Sequence, residues 1–147
     1  MSALAAMSLS QSAIAAVDDA NVDNAAGTTI TGTGYGVKLD AGGPYTVANS
    51  GEINSTAGTL SYGIDINSVT TTSINNTSTG VIKADATTGG RAYGINMTST
   101  ASVGTLINAG LISGSAASTF GRGIHLTSSN IETLTNSGRI LGVAGLS

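Results

Sequence analysis

Tyr35-Gly36-Val37-Lys38-Leu39, Tyr62-Gly63-Ile64-Asp65-Ile66 and Tyr93-Gly94-Ile95-Asn96-Met97 are copies of one pattern, and Arg122-Gly123-Ile124-His125-Leu126 is a degenerate fourth. Their glycines step by 27, 31 and 29 residues. A second motif follows each copy: an aliphatic residue, an Asn two positions on, then Gly-x-Ile. It reads Val47-Ala48-Asn49-Ser50-Gly51-Glu52-Ile53, Leu106-Ile107-Asn108-Ala109-Gly110-Leu111-Ile112 and Leu134-Thr135-Asn136-Ser137-Gly138-Arg139-Ile140. Between Ile74 and Ile82 the same motif is stretched by two residues. A fixed period of this length is the mark of a solenoid. It argues against a compact enzyme built around one buried site.

Apolar and polar residues alternate within each motif, which is the strand period. Val, Ile, Thr and Tyr are the residues strands favour. Aligned, the copies form columns: Val37, Ile64, Ile95, Ile124; Leu39, Ile66, Met97, Leu126; Val47, Ile74, Leu106, Leu134; Ile53, Ile82, Ile112, Ile140. Every member is aliphatic or Met. Like residues one period apart suit coils stacked about 4.8 Å from one another. A single coil cannot bury its inner face, so stacking creates the core. The sequence therefore predicts an all-β fold, a right-handed parallel β-helix (β-solenoid) of about four coils of ~29 residues over 28–147. Each coil holds three short strands. The lengths vary mainly over Ala41 to Tyr45 and Asp85 to Arg91, which are expected to be loops. Asn49, Asn76, Asn108 and Asn136 point inward or into a corner by strand alternation. Buried amides must be hydrogen-bonded, and stacked amides satisfy one another donor to acceptor. The column reads as a corner ladder and not as a ligand set.

Composition narrows the rest. Charged residues are 9% of the chain, against about 25% in ordinary soluble domains. With 21 Gly and one Pro, turns are expected from Gly and Asn in left-handed conformations. Aromatics at 3% are too few for a nucleotide-stacking surface. The net charge of −3, without a basic run, argues against nucleic acid. The chain has no Cys, which removes disulfides, thiolate metal sites and thiol nucleophiles. Residues 1–17 are uncharged and rich in Ala, Leu and Met, and an acidic stretch from Asp18 to Asn24 follows. Residues 1–27 therefore read in two ways. One is the remnant of a secretory signal peptide, with Ala13-Ile14-Ala15 fitting small-x-small cleavage. The other is a cap or linker, with a short Ala-rich helix over the open end of the solenoid. The segment is too short and polar to span a bilayer.

A β-helical enzyme needs clustered acids and bases on one face. The carboxylates, Asp18, Asp19, Asp23, Asp40, Glu52, Asp65, Asp85 and Glu132, occupy unlike positions in the repeat. Asp65 shares the outward position of Lys38, Asn96 and His125. Lys38 and Asp65 are expected to pair across adjacent coils. His125 lies two coils from Asp65, about 10 Å away and too far for a direct acid–base pair. No catalytic residue, cofactor site or metal site is assigned, and the chain is expected not to be an enzyme. Gly-Gly-x-Gly-x-Asp calcium repeats are absent. The tracts Thr70-Thr71-Thr72, Thr98-Ser99-Thr100 and Thr127-Ser128-Ser129 follow strand one and raise an ice-binding alternative, weakened by Asp40-Ala41-Gly42 in the first coil.

Asn49-Ser50-Gly51-Glu52-Ile53, Asn136-Ser137-Gly138-Arg139-Ile140, Tyr62-Gly63-Ile64 and Tyr93-Gly94-Ile95 resemble the passenger regions of bacterial autotransporters, the type V secreted proteins of Gram-negative bacteria. The resemblance covers about 115 residues. It implies export, a β-helical passenger carried through an outer-membrane barrel, and a place at the cell surface, in the outer membrane or outside the cell. It implies a structural or adhesive role toward a surface, glycan or host-cell ligand. The sequence lacks the barrel and has fewer coils than a full passenger, so it is expected to be a fragment. Exposed strand edges predict end-to-end self-association. The alternative is part of a β-helical polysaccharide-acting enzyme with its site in other coils.

Overall fold

The computed structural model describes residues 12–144. Strand β1 (Ser12–Ala15) opens this stretch, followed by β2 (Val17–Asp18), β3 (Val22–Asn24) and β4 (Thr28–Gly32). Four repeats follow, each of three strands. They are β5 (Tyr35–Leu39), β6 (Tyr45–Asn49) and β7 (Glu52–Ala57); β8 (Leu60–Asn67), β9 (Thr70–Asn76) and β10 (Val81–Ala86); β11 (Arg91–Thr98), β12 (Ser102–Asn108) and β13 (Leu111–Ala116); β14 (Phe120–Thr127), β15 (Asn130–Asn136) and β16 (Arg139–Ala144). Every third strand joins the same sheet. The orders are β1-β4-β7-β10-β13-β16, β2-β5-β8-β11-β14 and β3-β6-β9-β12-β15, here the first, second and third sheets. All pairings between coils are parallel. The chain is a parallel β-solenoid.

The register reproduces the sequence columns. Ile64 lies between Val37 and Ile95, and Ile82 between Ile53 and Ile112. All six are completely buried. In the fourth repeat Leu126 and Leu134 are 44% and 50% exposed. A smaller apolar cluster, Ala84, Ala86, Ala92 and Ala116, fills the narrow corner between the first and second sheets. Only small residues fit there. The buried Ser61 hydroxyl donates to Ser55 Oγ at 2.9 Å.

The solenoid reaches further toward the N-terminus than residue 28. Val17 pairs with Val37, Val22 with Val47 and Asn24 with Asn49. These residues occupy the repeat's columns without its Tyr-Gly or Gly-x-Ile landmarks, which hid the leading strands. Ser12–Ala15 is a strand beside Thr28–Thr31 and not a helical cap. A leader over residues 1–11 lies outside the described residues. The loop predicted over Asp85 to Arg91 is shorter, because Asp85, Ala86 and Arg91 extend β10 and β11.

Turn chemistry follows expectation for glycine, with positive φ at Gly27, Gly34, Gly42, Gly43, Gly89 and Gly90, and departs from it for Asn. The left-handed corners after β2, β8, β11 and β14 are made by Asp19, Ser68, Ser99 with Thr100, and Ser128, with no Asn among them. Asp19 is held there by the Asp40 and Ala41 backbone N–H groups, which donate to its carboxylate, and the Ser68 hydroxyl donates to Asn67 Oδ1. Gly63 and Gly94 serve a different purpose. A Cβ at Gly94 would lie 2.6 Å from the Gly123 carbonyl and 2.8 Å from Ile112 Cγ2. Close approach between coils, not a positive φ, requires glycine there.

Candidate functional site

The outer face of the second sheet collects most of the chain's distinctive side chains. Buried Ile64 and Ile66 turn inward, so Asp65 between them turns out. One outward row runs Asp18, Lys38, Asp65, Asn96, His125. A second runs Tyr35, Tyr62, Tyr93, Arg122, and a third runs Leu60, Arg91, Phe120.

These rows are bonded along the solenoid axis. Asn96 Nδ2 donates to Asp65 Oδ1 at 2.7 Å. Asn96 Oδ1 must then accept from His125 Nδ1–H, 2.9 Å away. This fixes the proton on Nδ1 and leaves Nε2 to accept from the Thr127 hydroxyl at 3.4 Å. Tyr93 stacks on Tyr62 with ring centres 5.8 Å apart, and the His125 ring stacks on Tyr93 at 4.3 Å. Asn96 is buried under this arrangement. Burial pushes the Asp65 carboxyl above the usual aspartate range, only partly offset by the Asn96 amide. Burial, then Arg122 and Arg91, hold the His125 imidazole below its ordinary value. At neutral pH the row ends in a neutral histidine.

Charge on this face is segregated. Near its N-terminal edge the carboxylates of Asp18, Asp19 and Asp40 lie within 4.8 Å of one another. Asp19 accepts from the backbone N–H groups of Asp40 at 2.8 Å and Ala41 at 3.0 Å. The Ala41 and Asp40 bonds hold its carboxyl below the usual range. Lys38 pairs with Asp40. Toward the other edge stand Arg91 and Arg122, both exposed. The Arg122 guanidinium lies 5.5 Å from the Phe120 ring centre and 6.0 Å from that of Tyr93. Among the described residues, neither Arg91 nor Arg122 has an ion-pair partner.

The Asn column is a ladder, and it begins one rung earlier than predicted, at Asn24. Asn24 donates to Asn49 at 2.7 Å, Asn49 to Asn76 and Asn76 to Asn108 at 2.8 Å, and Asn108 to Asn136 at 2.7 Å. Two open grooves run outside this corner. Gly51, Glu52 and Thr79 line one; Gly80, Gly110 and Arg139 line the other.

One expectation needs correction. Lys38 and Asp65 are register neighbours, yet the Lys38 ammonium turns to Asp40 on its own edge and Asp65 takes the Asn96 amide. As expected, His125 and Asp65 make no direct pair; Asn96 bridges them. The sequence row Asp65, Asn96, His125 held that signal, since alternating donors and acceptors stack naturally. The acidic cluster was missed because Asp18 and Asp19 were assigned to a leader. Thr98-Ser99-Thr100 and Thr127-Ser128-Ser129 run into the turns between the second and third sheets, while Thr70-Thr71-Thr72 opens β9, with Thr71 fully buried. No protein-family model matches the chain, and no characterised protein or solved structure matches it.

Proposed function

We propose that this chain is a non-catalytic structural and adhesive segment of an autotransporter-type passenger, displayed at the surface of a Gram-negative bacterium. The observation that carries the reading is the second sheet's outer face. Its aromatic and hydrogen-bonding side chains come from successive coils and form continuous axial rows. Such a row suits many weak polar contacts with an extended ligand, or holds a distal element away from the cell. The grooves are open and lined by turn residues, which fits contact more than catalysis. Export and passage through an outer-membrane barrel follow from the motif resemblance. The ligand class is a surface, a glycan or a host-cell component. The test is display of residues 12–147 on a heterologous barrel, with adhesion to host cells, abiotic surfaces and sister cells measured against an empty barrel. Binding above the empty barrel supports adhesion. Binding at the level of the empty barrel leaves a stalk.

A further inference from the structure

We propose that the second sheet's outer face is a self-complementary docking surface for a second copy of this chain, forming a closed, side-by-side dimer in which the acidic edge of each copy meets the arginine edge of the other. Of the chain's 13 Asp, Glu, Lys and Arg residues, seven sit on or beside this one face: Asp18, Asp19, Lys38, Asp40, Asp65, Arg91 and Arg122. Their signs are sorted along it. The acids crowd one edge with a single ammonium among them. Two arginines without ion-pair partners among the described residues stand three and four strands away.

A face that is acidic at one edge and basic at the other is complementary to its own reversed copy. A two-fold axis lying in the contact plane, perpendicular to the solenoid axis, brings each acidic edge onto an arginine edge, so both contacts form at once. Around the arginines lie Phe120, 50% exposed, and Leu60, 47% exposed, in the row that also holds Arg91. Exposed aromatic, arginine and aliphatic side chains are the composition of interface anchors. The five strands, two, five, eight, eight and eight residues long, at about 3.3 Å per residue and about 4.8 Å between strands make a face of about 500 Å². Two such faces bury about 1,000 Å², the size of a weak, transient complex. The dimer is therefore weak, and its association is sensitive to salt.

The prediction separates this contact from end-to-end stacking of coils, which is open-ended and held by strand edges and apolar columns. Sedimentation equilibrium of the 147-residue chain is expected to show monomer and dimer only. The dimer fraction should fall at least several-fold from low to high salt. Arg91→Glu/Arg122→Glu should be monomeric, and so should Asp18→Lys/Asp40→Lys, each with an unchanged circular dichroism spectrum. An equimolar mixture of the two variants should dimerise again, because the mixed pair has one contact with its original signs and one with the signs exchanged. If both variants misfold, Phe120→Ser serves instead and should weaken the dimer. A strictly monomeric wild-type chain overturns the proposal. So does a ladder of oligomers that neither salt nor charge reversal changes, or a mixture that stays monomeric.

Discussion

Asn76 Nδ2 donates to Asn108 Oδ1 at 2.8 Å, while Asn76 Oδ1 accepts from Asn49 at the same distance. Asn76 also donates to the Gly80 and Leu111 carbonyls at 3.1 and 3.2 Å. Both faces of the amide are used, and the residue is completely buried. Asn76→Ala therefore strands a donor on Asn49 and an acceptor on Asn108. The expected loss is about 2–4 kcal/mol, since each buried orphan costs about 1–3 kcal/mol. Urea unfolding measures it. Asn136→Ala, at the exposed final rung, should lose far less; equal losses would contradict the ladder's energetic role.

Thr71 offers the opposite experiment. Its side chain is fully buried and its hydroxyl has no hydrogen-bond partner. Its register neighbour in the next coil is Val103, so the position accepts valine. Thr71→Val should stabilise the protein by about 1 kcal/mol by removing an unsatisfied hydroxyl at constant shape. A fall in the urea midpoint would show that the hydroxyl has a partner.

Gly94→Ala should destabilise by about 1–3 kcal/mol, the range for forced overpacking. The new methyl would press on the Gly123 carbonyl of the next coil and on Ile112 and Ser113 of its own. Gly58→Ala meets only Thr88 Oγ1 at 3.2 Å and serves as the mild control. Thermal melts of the pair should separate clearly. Coincident melts would remove close approach as the reason for the motif glycine.

Asp65 makes stability depend on pH. Its native pKa is raised by burial, so the native state holds this proton more tightly than the unfolded chain. Above the raised value the charged form carries its full burial cost. As pH falls through the window between the raised native value and the ordinary aspartate value, the cost disappears. Asp65→Asn should be more stable than wild type at neutral pH, with the advantage shrinking as the solution is acidified toward and below the ordinary aspartate range. An advantage constant across that window would show that Asp65 is not desolvated.

The His125 ring should be neutral at neutral pH with its proton on Nδ1, because Asn96 presents an oxygen to it. Nitrogen chemical shifts report the tautomer. Replacing Arg122 by Gln should raise the histidine pKa, because one of the charges holding it down is gone. An unchanged titration would remove Arg122 as a cause.

The coiled core was legible because burial here is periodic. Ile64, Ile95 and Ile82 announce their inward positions by recurring one period apart, and the structure buries all three completely. The Asn ladder was legible for the same reason. The leading strands were not, because Val17 and Val22 repeat the columns without the flanking glycines. The side-chain partners on the outer face were legible only as a row. Register made Asp65, Asn96 and His125 neighbours. Whether Lys38 turned to Asp65 or Asp40 depended on rotamers that spacing does not determine.

The uneven steps of 27, 31 and 29 residues carry a consequence for folding. Because equivalent coils present the same columns, a strand that skipped one coil and paired with the next would still match aliphatic to aliphatic and amide to amide. Identical coils would make that error cheap and hard to escape. Unequal connections make the wrong partner arrive with a turn that is too long or too short. The irregular loops between regular strands thus act as an address, giving each coil a place in the stack that its core residues alone do not specify.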